Sequence, residues 1–233
     1  MEHKVNLEEI SDGKLYTKND MVKLGCDGCH GKASCCRFAE DTITLDPYDF
    51  YQLSTGEGLS FEQLYGAGLI ALGPVQGLLL PHLNFSKETE ACPFLKEDGL
   101  CKIHANRPGL CRLFPLARYF EEDTIRYILQ IHECPNPVTP KVKVKQWIGL
   151  PNMEQYETFL IEWRTLITKV QEKIATASDN QTIGAVTTAL LKLFFLTPYE
   201  KDENFYTQFR QRLESYINSN RLTAITIIPA IRP

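Results

Sequence analysis

The sequence predicts an α+β fold, in which an irregular, cysteine-bearing first part is followed by a C-terminal bundle of about three helices. Three observations lead to this prediction. All eight cysteines lie between Cys26 and Cys134. Short β-branched runs and turn residues occupy the same stretch, and apolar residues begin to recur at helical spacing after residue 150. We therefore predict a cysteine-cluster metal-binding domain at 1–150 and a helical region at 151–233 that packs on it.

The first part contains signals for short helices. Residues 42–45 form a β-branched run that is typical of a strand. Asp46 followed by Pro47 indicates a helix N-cap with proline at the first helical position. Ser60 and Gln63 have the spacing of a capping box, which predicts a second short helix.

Extended segments follow these helices. Residues 78–85 are predicted to be extended, and residues 115–120 and 124–131 to be two strands of a hairpin joined by an acidic turn. The alternating Lys141–Lys145 run indicates a solvated strand or an extended connection.

The second part has the 3.6-residue period of amphipathic helices. The first predicted helix carries apolar residues from Tyr156 to Ile174, with Asn152 as a candidate cap. The second runs over residues 183–194 and stops before Pro198, and the third covers residues 205–217. The tail, residues 223–229, is β-branched enough to add a strand.

Composition excludes some classes of function. The chain has 43% hydrophobic and 23% charged residues, as ordinary globular proteins do, and a net charge of −4 argues against binding to nucleic acid. Apolar runs such as 193–196 are far shorter than the ~20 residues of a membrane span. The charged N-terminus shows no signal peptide. We therefore expect a cytoplasmic protein that neither enters a membrane nor binds nucleic acid.

The cysteines are the strongest indication of function. Thiolates gathered in one window suit zinc, an iron–sulfur cluster or disulfides, and a reducing cytosol disfavours disulfides. We predict that the eight cysteines bind metal: Cys26, Cys29, Cys35, Cys36, Cys92, Cys101, Cys111 and Cys134.

The spacing of these cysteines favours an iron–sulfur cluster over zinc. Gaps of eight, nine and twenty-two residues separate the last four, unlike the paired knuckles of zinc fingers. Clusters commonly take thiolates from distant loops. Neighbouring side chains diverge in extended backbone, so Cys35 and Cys36 are not both expected to be indispensable ligands of one ion. The spacing leaves open whether there is one metal site or two, and whether the metal is zinc instead of iron.

The stretches CDGCHGKASCCRF, CPFLKEDGLCKIH and NRPGLCRLFPL resemble the YkgJ-like cysteine-cluster family, described as a zinc- or iron-chelating domain. Cys134 followed by Pro135 is similar to the last cysteine of the related flagellin lysine N-methylases. This resemblance implies a [4Fe–4S] cluster, and it also implies the alternative of an enzyme that uses S-adenosylmethionine to methylate protein lysines.

We expect the metal to serve a module that binds another protein, or that handles electrons or metal. Metal binding at a cysteine site of this kind is coupled to folding, so it can organise a loop-rich module of this type. A protein in which zinc has a structural role is an alternative to this expectation.

Few other residues point to chemistry. Three arginines lie close to Cys111 in the sequence, namely Arg107, Arg112 and Arg118. Their positive charge would offset repulsion between thiolates. For Arg118, packing and surface pairing are the expected role. Arg112 is also a candidate anchor for a carboxylate. His30 is a candidate zinc ligand, whereas His104 is expected to lie in a strand. No P-loop, HExxH, GxSxG or dinucleotide fingerprint occurs, and no pair of carboxylates stands out.

Overall fold

The computed structural model confirms the α+β fold class, with short antiparallel strands and a helical C-terminal region. The structure describes residues 7–24, 36–37, 43–75, 77–121, 123–131, 141–176 and 180–220.

The strands of the described residues form separate two-stranded antiparallel sheets. The predicted hairpin after residue 115 is confirmed, and Leu116 lies opposite Leu129 in its register. The extended segment after residue 78 is a strand that pairs with a preceding strand. The pairs are β1 (Met21–Lys23) with β6 (Lys141–Lys143), β2 (Ile70–Val75) with β3 (Leu78–Leu83), and β4 (Leu116–Glu121) with β5 (Thr124–Leu129).

Short helices connect these sheets in the first part. Both predicted capping signals are confirmed, since the side chains of Asp46 and Ser60 each accept a hydrogen bond from the backbone three residues later. The helices are α1 (Leu7–Ile10), α2 (Pro47–Glu57), α3 (Phe61–Gly66), α4 (Gly109–Leu113) and α5 (Val144–Ile148).

The C-terminal region contains the predicted helices, and Asn152 caps the first through the Gln155 N–H group at 3.1 Å. The second helix is extended by a π-helical turn, Lys192–Leu196, before Pro198. The tail strand predicted at 223–229 lies outside the described residues. The long helices are α6 (Met153–Thr176), α7 (Asn180–Leu191) and α8 (Phe205–Asn220).

Aromatic rings join the two parts of the chain. The rings of Phe159 in α6 and Phe209 in α8 lie 4.7 Å apart, edge to face. Tyr48 in α2 packs on Phe205 in α8 at 5.0 Å. One hydrophobic cluster therefore runs through α2 and the C-terminal helices, while the division of the chain into domains at residue 150 stays a prediction.

Some local predictions differ from the structure. The strand predicted at 42–45 is reduced, among the described residues, to an isolated bridge between Thr44 and His82 on β3. The Lys141–Lys145 run is a strand only to Lys143, and Val144, which is fully buried, begins α5. Burial of the Val144 side chain thus outweighs the strand preference of the alternating Lys and Val residues.

No helix of the described residues is long and apolar enough to cross a membrane.

Candidate metal centre

Four of the predicted ligands surround one cavity. Cys36, Cys92, Cys101 and Cys111 line a space of about 310 Å³, although they come from separate segments of the chain. Cys92 is buried and the other three are half-buried. The cavity wall is otherwise mainly apolar, with three basic side chains, and its further lining residues are Leu83, Phe85, Lys96, Gly99, Leu100, Ile103, His104, Arg107 and Pro108.

A tight turn brings Cys92 and Cys101 to the same side of the cavity. Between them the Asp98 carboxylate accepts the Leu100 N–H at 3.0 Å, and Gly99 adopts a φ of 79°. The chain therefore reverses, and Leu95 forms a bridge with Cys101. The sequence KEDG is the local reason that Cys92 and Cys101 line the same cavity.

Cys36 is held against Cys92 by the backbone. The Cys92 N–H donates to the Cys36 carbonyl at 2.9 Å, and Arg37 forms a bridge with Ala91. Cys36 thereby reaches the later cysteines through main-chain pairing, which no local sequence signal predicts.

Cys111 lies on α4, whose start is anchored to α2. The Gly109 N–H donates to the Asp49 carboxylate at 2.7 Å, in a buried position. A side chain at residue 109 would collide with the Arg118 guanidinium and the Tyr156 hydroxyl. Glycine is therefore required before Cys111 because three other elements converge on its backbone.

The same contact belongs to a buried polar cluster of Asp46, Asp49, Arg118 and Tyr156. The Asp46 carboxylate accepts the Asp49 N–H at 2.8 Å, and the Arg118 guanidinium donates to the Tyr156 hydroxyl at 2.5 Å. No carboxylate pair stands out in the sequence, but the structure places Asp46 beside Asp49. The packing expected of Arg118 is confirmed by its position over the Tyr156 ring. These residues are far apart in the chain, so only the DPYD capping pattern at the start of α2 hinted at the cluster.

Burial sets the protonation of this cluster. Burial, and then the neighbouring Asp49, raise the pKa of Asp46 to about 8. The pKa of Asp49 is also raised by burial, against the opposing effect of Arg118. Burial acts to lower the pKa of Arg118, but Tyr156, Asp46 and Asp49 outweigh it and raise that pKa. At neutral pH we therefore assign the negative charge to Asp49 and a proton to Asp46.

Arg112, the residue after Cys111, has a structural partner. Its guanidinium donates to the Ala105 carbonyl at 2.9 Å and is largely buried. The other end of α4 is bound by Trp147, whose indole N–H donates to the Leu113 carbonyl at 3.0 Å. Both contacts hold the helix that carries Cys111.

The cavity has a positive lining. Lys96 and Arg107 contribute to it, His104 is a further lining side chain, and no Asp or Glu lines the cavity among the described residues. His104 was expected in a strand but lies in a 3-10 turn, His104–Asn106, because the Asn106 N–H donates to the Ile103 carbonyl at 2.9 Å. Burial, and then Arg107 and Arg112, lower the pKa of His104.

Four cysteines line one cavity, and thiolates are ligands that suit zinc and iron–sulfur clusters. However, no three His, Cys, Asp or Glu side chains of the described residues form a ready coordination set. The remaining predicted ligands, together with His30, lie outside the described residues: Cys26, Cys29, Cys35 and Cys134. Their participation stays a prediction.

Comparison with known protein families matches residues 25–135 to the CxxCxxCC family, whose description is "Putative zinc- or iron-chelating domain". Searches of curated proteins and of solved structures found no match.

We expect Asp49→Ala to lower the free energy of unfolding by at least about 2 kcal/mol, since the N–H groups of Gly109 and Asp46 lose their acceptor. Asp49→Asn keeps one acceptor oxygen for the Gly109 N–H group but places its NH2 group against the Asp46 N–H group, so its loss should be smaller than that of Asp49→Ala. Urea denaturation measures both. Equal losses would show that the carboxyl oxygen does not anchor α4.

The protonated Asp46 should make stability depend on pH. The folded chain keeps a proton there up to a pKa of about 8, whereas the unfolded chain releases it near 3.8. The free energy of unfolding should therefore fall as the pH rises from about 4 to 8. Asp46→Asn retains the helix cap but not the titration. Denaturation at pH 5 and at pH 8 should show a smaller decrease for this variant, and an unchanged decrease would contradict the assignment.

Proposed function

We propose that the protein holds an iron–sulfur centre of the [4Fe–4S] type, since residues 25–135 match the CxxCxxCC family model of a "Putative zinc- or iron-chelating domain". The family match supports a role in metal binding, and the choice of iron–sulfur over zinc is the proposal.

The observation that carries the proposal is the shared cavity of Cys36, Cys92, Cys101 and Cys111. A structural zinc site is a compact tetrahedron with Zn–S distances of about 2.3 Å. The cavity that these four cysteines line, about 310 Å³ in volume, is larger than one ion needs. A cluster of several atoms suits such a space, and it accepts thiolates from distant loops.

The charge of the wall supports the same centre. A cluster held by four thiolates carries net negative charge, which is costly to bury without positive charge nearby. Arg107 and Lys96 lie in the lining. Their side chains would stabilise the ionised sulfurs and the centre that they hold.

We propose that the protein acts as a module that binds another protein, or that handles electrons or metal, in the cytoplasm. Metal binding at such a site contributes to folding, and α6 and α8 pack on the elements that hold the cavity. A structural zinc protein and an S-adenosylmethionine-dependent lysine N-methyltransferase stay predictions, which no contact of the described residues favours.

Protein purified without oxygen should contain iron and acid-labile sulfide at about four of each per chain, and it should absorb visible light broadly. Elemental analysis and the absorption spectrum measure this. A colourless protein with stoichiometric zinc would contradict the iron–sulfur proposal and support a structural role for zinc.

The adjacent cysteines provide a matched pair of variants. Cys36 lines the cavity, and the side chain of its neighbour is expected to point elsewhere. We therefore expect Cys36→Ser to lower the metal content more than Cys35→Ser, as measured by metal analysis of both proteins. Equal and complete loss of metal in both variants would contradict the assignment of Cys36 as the ligand of this cavity.

A further inference from the structure

The cavity has the walls of a small-molecule site. Pockets for small ligands have volumes of about 300–1,000 Å³ and are mostly apolar, with a few polar groups that fix orientation. The cavity of about 310 Å³ is at the lower end of this range, and Leu83, Phe85, Leu100 and Ile103 form its apolar surface. Such a wall suits a compact ligand with an apolar body.

Arg107 is the lining cation whose hydrogen bonding is least satisfied. A guanidinium has five N–H donors. That of Arg107 contacts the His104 ring, while its Nε atom is buried and has no hydrogen-bond partner. No carboxylate of the described residues lies within ion-pair distance of it. By contrast, Lys96, the other lining cation, pairs with Asp98.

His104 directs this guanidinium. Because its lowered pKa keeps the ring neutral at pH 7, His104 can accept a hydrogen bond from Arg107. The contact holds one edge of the guanidinium, and its remaining terminal Nη–H groups are left for a partner at the cavity wall. A planar fork of this kind matches an oxyanion such as a carboxylate.

We propose that the cavity binds a small organic anion, whose carboxylate or similar oxyanion pairs with Arg107 while its apolar body contacts Leu83, Phe85 and Leu100. The inference depends on the proposed function in one respect, because the proposed metal centre occupies part of the same cavity. The ligand would lie beside that centre.

Benzoate and benzamide form a matched pair of probes, because they have nearly the same shape and differ in charge. We expect the purified full-length protein to bind benzoate about tenfold more tightly than benzamide in calorimetric titration. Arg107→Gln should reduce this ratio to about one. Arg126→Gln is the control, because Arg126 pairs with Glu121 on the hairpin and does not line the cavity; it should keep the ratio.

Equal binding of the two probes by the wild-type protein, or an unchanged preference in Arg107→Gln, would overturn the proposal. The Arg107 Nε–H signal in NMR provides a test on the wild-type chain if the variant does not fold. That signal should shift with benzoate and not with benzamide, and an absence of any shift would also overturn the proposal.

Metal content, measured on the same samples, separates the two proposals. A protein that holds iron but does not prefer benzoate would overturn the anion site alone. A preference for benzoate in a protein without iron would support the anion site and contradict the iron–sulfur centre.

Discussion

The hydrogen bond from the Gly109 N–H to the Asp49 carboxylate, at 2.7 Å, is the contact on which the arrangement of the site depends. It joins the start of α2 to the start of α4, two residues before Cys111. The carboxylate can occupy this buried position because Arg118 supplies a positive charge. The position of one sulfur is thus set by an interaction between groups that are distant in the sequence.

The buried cluster and the cavity have opposite electrostatic characters. In the cluster, two carboxyl groups and Arg118 are enclosed together, so that one carboxyl group keeps its proton. The cavity is lined by cations and sulfurs, and by no carboxylate of the described residues. An anionic guest, whether a metal–thiolate centre or an organic anion, would therefore be stabilised in the cavity, where fixed acidic groups do not oppose it.

The C-terminal helices contribute to the site although they lack cysteines. Tyr156 at the start of α6 accepts the hydrogen bond of Arg118, and its ring packs on Tyr48 of α2 at 5.4 Å. The aromatic cluster of α6 and α8 holds that tyrosine in place. The bundle is therefore a support for the α2–α4 contact, and a change within it can reach Cys111 through packed side chains.

Elements with local signals could be predicted from the residue pattern, and the cysteines indicated a metal-binding function. The N-cap at Asp46, the capping box at Ser60, the hairpin after residue 115 and the helical spacing of α6 depend on neighbouring residues, and the structure confirms them. Only the tertiary structure brought Cys36 to the cavity of Cys111 and enclosed Asp49 with Arg118. These contacts depend on packing between distant segments and on the desolvation of charge, and a local sequence pattern predicts neither.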